Sequence, residues 1–485
     1  MFNQPDVASL VPECYAEYRR VVSEGVMFFL GQLSKPRLAK ILAEQTSLPS
    51  SADTGARVVR LMHHSPALHK LGQVIARRRE LDESLRRRLQ RLETMAPRTD
   101  MSQIMPLIER QLGPAKRRYR IQVEKTPLAE ASVAVVVPLT WSDGAKGERR
   151  EGVLKVLKPG VANRLTEDLE ILGRLADYTD EHRKAWRLPE IAFRETFEDV
   201  RRILTHEIQF EREQANLVAA GAVYARWPNV QVPAVLPFST KSLTAMQRVH
   251  GVKVTQVAGK GNVDQRRRRL AETIVRALVA EPVFSRANRA LFHGDPHAGN
   301  LMATDDGRLA ILDWSLTGEL QGPEREQLAQ ILTGGMALDG QRIGQGLESL
   351  ATGSMKADAL RPVVQRALAE ARGNAWTGVD WLMGLVDSAA RAGARFRADL
   401  LLFRKSFFTL EGIVADLCEK CTMEQTLMKA MLEKLAGEWP LRWIRPMHSR
   451  AFATHLSSAD LLQLGAMMPL SIMQRWMGAW GGWAA

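Results

Sequence analysis

Apolar positions recur three and four residues apart through most of residues 1–125, the spacing that lines one face of a helix. In Arg77–Glu93, Leu81, Leu85, Leu89 and Leu92 fall at this spacing with arginines between them, which predicts an amphipathic helix with a solvated basic face. The pattern changes near Ile121. Ala131–Leu139 is a β-branched apolar run, as for a buried strand, and the polar turn Ser142–Arg150 leads to a second strand, Gly152–Leu157, giving a hairpin. Helical spacing returns over Arg164–Tyr178 and Phe197–Ala220. Val230–Pro237 and Leu243–Val249 read as further strands, and Gln265–Val279 as a helix. A loop, Phe292–Asn300, then leads to a hairpin of Leu301–Ala303 and Leu309–Leu312 around Asp305-Asp306-Gly307. Residues 322–440 are helical again. The organisation expected is a helical extension (1–125), a β-rich lobe (126–250), a mainly helical lobe (251–440) and a tail (441–485).

Composition narrows the function class. With 485 residues, 45% hydrophobic and 25% charged, the chain is of ordinary globular type, neither disordered nor polytopic. Three cysteines exclude a disulfide scaffold and fit a reducing, cytoplasmic setting. Cys418 and Cys421 form a lone C-x-x-C on an apparent helix, without the second pair or nearby His that a zinc site needs, and read as structural. The N-terminus has no basic region followed by an apolar run, and Val26–Leu33 is too short to span a bilayer. From Leu461 to Ala485 the only charge is Arg475, and Trp476, Trp480 and Trp483 cluster beyond it, with Pro469 interrupting. Such a tail either packs back onto the domain or lies at a membrane interface, where tryptophan is favoured. The net charge of +13 admits nucleic acid, anionic lipid or a phosphorylated ligand. No zinc spacing, RNA-recognition aromatic signature or helix-turn-helix accompanies it, so nucleic acid is not expected.

The candidate chemistry lies in His293-Gly294-Asp295-Pro296-His297-Ala298-Gly299-Asn300, which fits H-x-D-x-x-x-x-N, the catalytic-loop pattern of kinases. Asp313 follows thirteen residues after Asn300, at the end of an apolar strand. Phosphoryl transfer needs a carboxylate to position or deprotonate the nucleophile, here Asp295, and hard oxygen ligands for Mg²⁺, here Asn300 and Asp313. Lys155 lies on the strand Gly152–Leu157, from which a lysine reaches nucleotide phosphates, and Glu207 is a candidate to hold that lysine. Together these residues imply ATP and Mg²⁺ as cofactors. The fold class expected is α+β: a two-lobed, protein-kinase-like fold with an N-terminal helical extension and a mainly helical C-terminal region.

Over residues 60–440 the chain resembles the UbiB family of atypical kinase-like proteins. Lys70-Leu71-Gly72-Gln73 matches the family's K-x-G-Q motif, and Pro127–Ser132 resembles its alanine-rich loop. Glu207-Ile208-Gln209 falls on its E-x-D motif and Glu213–Asn216 on the stretch that follows. The resemblance implies a nucleotide site formed by Leu128, Ala129, Glu130, Ala131, Ser132, Val133, Lys155 and Glu207, and a regulatory helix bearing Lys70 and Gln73 that folds over it. It also implies a UbiB-type ATPase or kinase that supports isoprenoid-quinone biosynthesis or lipid homeostasis, peripheral to an anionic membrane surface, with isoprenoid lipid or quinone-biosynthesis proteins as partners. Six residues at four places depart from the pattern: Gln209 replaces Asp, Glu130 sits inside the loop, Ala134-Val135 replaces Gly-Gln, and Trp314-Ser315 replaces Phe-Gly. Alanines narrow the backbone angles that glycines allow near phosphates, which implies altered nucleotide handling. Two alternatives stand beside this reading. His293-Gly294-Asp295 and Asp313-Trp314 suit a small-molecule phosphotransferase of the aminoglycoside or choline kinase type as well, and a non-catalytic nucleotide-sensing scaffold would keep the same residues.

Overall fold

The computed structural model describes residues 4–76, 80–90, 99–143, 147–188, 193–258, 262–353, 357–374 and 377–481. The chain divides into two compact units, one of residues 1–218 with 234–248, the other of residues 219–233 with 249–485.

In the first unit an antiparallel sheet runs in the order Gln122–Val123, Ala134–Trp141, Arg150–Leu157, Leu243–Gln247, and the short strand Ala129–Glu130 also pairs with Ala134–Trp141. Ala134–Trp141 is buried along most of its length, as its unbroken apolar run requires. Ile104, Ile108 and Leu112 of the helix Met101–Arg118 pack with Val135, Val137 and Leu154 in one core. A second core joins the N-terminal helices to the long helix Val161–His182 through Phe29, Ile41, Leu61 and Ile171. A polar clasp fixes the same packing. The buried Asp168 carboxylate accepts hydrogen bonds from Ser65 Oγ at 2.7 Å and Arg37 Nη2 at 2.7 Å.

Two expectations are revised here. The helical pattern of Phe197–Ala220 is two helices, Phe193–His206 and Phe210–Tyr224, broken at Glu207–Gln209. The leucine-and-arginine segment Arg77–Glu93 is a helix over Glu83–Gln90, and residues 77–79 and 91–93 lie outside the described residues.

In the second unit, strands Val230–Gln231, Leu309–Ile311, Leu301–Thr304 and Gly251–Lys253 form one small sheet, and Arg289–His293 pairs with Thr317–Gln321 in another. The expected strand Val230–Pro237 is therefore only two residues long, and the loop expected from Phe292 starts inside a strand. Helices Gly322–Ala337, Val379–Arg391, Ala398–Leu417, Met423–Arg442 and Ser458–Gly481 build much of the rest. Cys418 and Cys421 are not on a helix: they lie in the turn between Leu417 and Met423, joined by a disulfide bond.

The described part of the tail packs back onto this unit. Arg475 donates to the carbonyls of Ala371, Asn374, Gly335 and Met336 and to Thr377 Oγ1. One buried guanidinium thus satisfies carbonyls at the C-terminal ends of two helices, which lack intrahelical partners. Pro469 lies inside the helix rather than ending it. Among the described residues no helix is long and apolar enough to cross a membrane. Trp483 lies outside the described residues.

Candidate nucleotide and phosphoryl-transfer site

Lys155 occupies the middle of its strand, registered against Val136 on one side and Thr244 on the other. Its Nζ lies 2.6 Å from Glu213 Oε1 and 5.5 Å from the ring centre of Phe210. Both ends of this ion pair are nearly excluded from water, the lysine side chain at 11% and the glutamate at 2% exposure. Glu213 sits in the first turn of the helix Phe210–Tyr224, where the helix dipole favours a negative charge. Gln214 anchors that turn to the sheet through hydrogen bonds to Thr240 O and Thr244 Oγ1.

Glu207, the residue expected to hold Lys155, is bonded elsewhere: its Oε1 lies 2.8 Å from Lys70 Nζ. The reason is the break at Glu207–Gln209, which leaves Glu207 outside both helices and gives the next helix its own acid, Glu213. Lys70 and Gln73 share the helix Pro66–Ile75, one turn apart. Gln209 is exposed, and its carbonyl accepts from the backbone N–H groups of Arg212 and Glu213.

The alanine-rich segment is a tight hairpin rather than an open loop. Leu128 N–H donates to Val136 O, and Ala131 N–H to Ala134 O, so the chain reverses over Ala131, Ser132 and Val133. Leu128 is exposed and Val133 is buried. Glu130 has a structural role: it lies 2.6 Å from Lys158 Nζ and accepts from the backbone and hydroxyl of Thr99 at 3.0 and 2.8 Å.

In the second unit the segment His293–Asn300 is held from several sides. His293 is buried, and its Nε2 lies 3.0 Å from Leu312 O while its Nδ1 lies 3.2 Å from Asp295 N. A carbonyl can only accept and an amide N–H can only donate, so Nε2 carries the proton and the ring is neutral. Burial, which pushes the His293 pKa down, acts in the same direction. Trp314 packs edge-on against this ring at 4.9 Å and donates to Ile311 O. The departure from Phe-Gly thus supplies a buried anchor beneath the loop. Gly294 leaves no room for a side chain: a Cβ there would come within 2.9 Å of both Leu316 and Leu402.

Asn300 Nδ2 donates to Asp295 O at 3.1 Å, and Leu312 N–H donates to Asn300 O at 2.8 Å. The hairpin register therefore sets Asn300 opposite Leu312, next to Asp313. Asp313 adopts a left-handed backbone, φ 47°, which aspartate tolerates better than most residues. Asp295 carries an ion pair absent from the motif: Lys405 Nζ lies 2.9 Å from its Oδ1. Ser406, the next residue on Ala398–Leu417, donates to Gly294 O at 3.0 Å. His297 Nε2 lies 3.8 Å from the other Asp295 oxygen.

Among the described residues no group of three or more His, Cys, Asp or Glu could hold a metal ion. Asn300 and Asp313 offer one amide and one carboxylate oxygen. That sparse, hard donor set fits a Mg²⁺ that keeps water and phosphate oxygens in its shell.

Residues 91–347 match the ABC1 atypical kinase-like domain. The UbiB protein of Xanthomonas campestris pv. campestris, described as a probable protein kinase, is 27% identical over 428 residues, spanning 83% of this chain and 74% of its own. UbiB of Marinobacter nauticus is 25% identical over 369 residues, 72% of this chain and 64% of its own. A solved structure of a Mycobacterium tuberculosis protein in complex with erythromycin aligns with 79% of this chain and 95% of its own, at 22% identity and a TM-score of 0.49. With that domain spanning just over half of its length and UbiB proteins aligned along most of the remainder, the chain belongs to the ABC1 atypical kinase-like family, that of UbiB.

Proposed function

We propose that this protein binds Mg-ATP and works as a UbiB-type atypical kinase or ATPase in isoprenoid-quinone biosynthesis or lipid homeostasis at a membrane surface. The observation that carries the reading is the His293–Asn300 loop, with Asp295 paired to Lys405 and Asn300 registered beside Asp313. Bound Mg²⁺ supplies charge neutralisation on the phosphate oxygens. Asn300 and Asp313 hold it, and Asp295 positions the attacking water or hydroxyl. Lys155, oriented by Glu213, takes the phosphates as a point charge. The hairpin Leu128–Val133 covers the nucleotide, and Lys70, through its ion pair with Glu207, makes a regulatory contact from the helix that also carries Gln73.

The membrane part of the reading rests on exposed apolar side chains near the C-terminal end of Met423–Arg442. Trp443 is 78% and Ile444 77% exposed, and Trp439 and Met447 stand open beside them. Tryptophan gains from an interface where its ring is apolar and its N–H stays wet.

Titration with a fluorescent ATP analogue and Mg²⁺, followed by phosphate release, tests the nucleotide reading. Asp313→Asn is expected to lower turnover by about 100-fold or more, as loss of a transition-state charge contact does. If the wild-type chain does not bind Mg-ATP, or Asp313→Asn turns over as fast, the reading fails.

A further inference from the structure

The helix Ala398–Leu417 is docked on the His293–Asn300 loop and its strand by neighbours of Lys405. Ser406 Oγ donates to Gly294 O at 3.0 Å, and the Phe403 ring packs edge-on against Phe292 at 5.2 Å. Leu402 stands so close that a Cβ on Gly294 would come within 2.9 Å of it. Phe403 and Ser406 are buried. Apolar packing and a buried hydrogen bond therefore fix this helix without help from an ion pair.

Lys405 differs from these neighbours. Its side chain is 43% exposed, while the Asp295 carboxylate that it meets at 2.9 Å is 13% exposed. A pair with so open a partner adds little to stability, because water screens it and the lysine loses rotamer freedom. It is weak as a structural device, yet a firmly seated helix delivers it to the carboxylate that carries the candidate chemistry. An ammonium has three donors, and this one bonds a single carboxylate oxygen.

The charges on the loop give such a cation work to do. Asp295 and Asp313 are both acids, and a phosphoryl group in transfer is itself anionic. A bare carboxylate facing that group repels it. A cation fixed beside Asp295 offsets the repulsion, and its remaining N–H groups suit oxygens on which charge is spread in the transition state.

We propose that Lys405 is a catalytic residue: held by Asp295, its ammonium donates to oxygens of the phosphoryl group in transfer. The proposal rests on Mg-ATP binding at this loop. In the step, a lone pair of the water or acceptor hydroxyl forms the new P–O bond. The bond from the γ-phosphorus to the bridging oxygen breaks, and its electron pair leaves with ADP. The proton of the nucleophile passes to Asp295 and then to solvent, and Lys405 keeps its own.

Binding of Mg-ADP with aluminium fluoride, a mimic of the phosphoryl group in transfer, tests this apart from turnover. Lys405→Met keeps the apolar stem and loses the charge. It is expected to weaken the fluoroaluminate complex by about 100-fold, the loss typical of one transition-state donor, while Mg-ADP alone binds within a factor of about three. Phosphate release should fall by a similar factor with the urea midpoint unchanged. Lys405→Arg keeps the charge in another shape and should recover about ten-fold of the loss. Lys405→Met is also expected to weaken the fluoroaluminate complex of an Asp295→Asn chain, by about ten-fold or more. No further loss in that background means that the lysine only positions Asp295, and overturns the proposal. A Lys405→Met chain that holds fluoroaluminate as wild type does overturns it too, whether or not its urea midpoint falls. If wild type binds no Mg-nucleotide, the Mg-ATP reading fails first and takes this proposal with it.

Discussion

A lysine in the middle of a strand, with neighbours on both sides, has little choice of rotamer, so its function depends on what stands at its tip. For Lys155 that is Glu213. Neutralising this partner removes the carboxylate that lies 2.6 Å from an ammonium buried beside Phe210. Breaking a buried pair in this way costs about 3–5 kcal/mol. Glu213→Gln is therefore expected to lower the urea midpoint and to weaken Mg-ATP binding by about ten-fold or more. Glu207→Gln breaks only the more open Lys70 contact and is expected to change ATP affinity by less than a factor of about three, a fraction of a kcal/mol. If Glu207→Gln proves the more damaging in a nucleotide titration, the pairing of Lys155 with Glu213 is not what orients it. Lys155 itself was readable from the sequence, since its strand is a clean apolar run. Its partner was not, because Glu207 and Glu213 both lie within one apparently continuous helical pattern, and a break of three residues changes which acid faces the sheet. Lys405 was hidden for a different reason. It meets Asp295 from 110 residues downstream, and nothing local in an amphipathic helix marks such a contact.

The elements themselves followed their patterns where the pattern was long. The strand around Val135–Val137 and the helices after Gly322 were legible from periodicity alone. Short elements held by tertiary contacts were legible in place but not in extent: the strand expected over Val230–Pro237 stops at Gln231, where its pairing with Leu309–Ile311 ends. The segment leading into Ser458–Gly481 behaves similarly. His455 adopts a left-handed backbone, φ 55°, and is held by Val283 O. Burial, reinforced by Arg325 and opposed by Glu438, brings its pKa down to about 4. In the unfolded chain a histidine titrates near 6.5. As pH falls, the unfolded state takes up this proton first, so the stability His455 contributes is complete above about 6.5 and is lost between there and about 4. The whole difference is at most about 3 kcal/mol. Asparagine tolerates the same backbone angles and does not titrate. The urea midpoint of wild type is therefore expected to fall between pH 6.5 and 4.5 by more than that of His455→Asn. Parallel curves would remove His455 as the cause and leave the drop to other groups, such as His206, which burial and then Arg212 and Arg202 also hold near 4.

The charge of +13 and the exposed apolar side chains act together only if both meet the same partner. An anionic bilayer is such a partner: each basic group near its surface contributes about 1 kcal/mol, and inserted tryptophans add apolar burial. The tail was the part of the sequence that suggested this, because Leu461–Ala485 carries one charge. In the structure that charge is buried as a clamp on neighbouring helix ends, and among the described residues the most open apolar side chains lie earlier, at Trp443 and Ile444. They were inconspicuous because Arg442, Arg445 and Pro446 interrupt the local hydropathy. Yet Arg442 is itself turned inward, bonded to Glu438 and Thr454, so it does not dilute the exposed apolar face. Trp439 and Trp443 stand one turn apart with ring centres 6.4 Å from each other, and Arg445 is exposed beside them. In vesicle flotation, the wild-type chain is expected to bind phosphatidylserine-containing vesicles and to leave phosphatidylcholine vesicles largely unbound. Raising the salt shortens the Debye length from about 10 Å at 0.1 M to about 3 Å at 1 M, and should release most of the bound protein. A Trp443→Ala, Ile444→Ser double variant keeps every charge and should bind several-fold less at low salt, because it loses only the apolar insertion. Arg475→Ala frees the tail from its clamp instead. If the double variant still binds and Arg475→Ala binds more tightly than wild type, the membrane contact belongs to the released tail rather than to the Trp443 face.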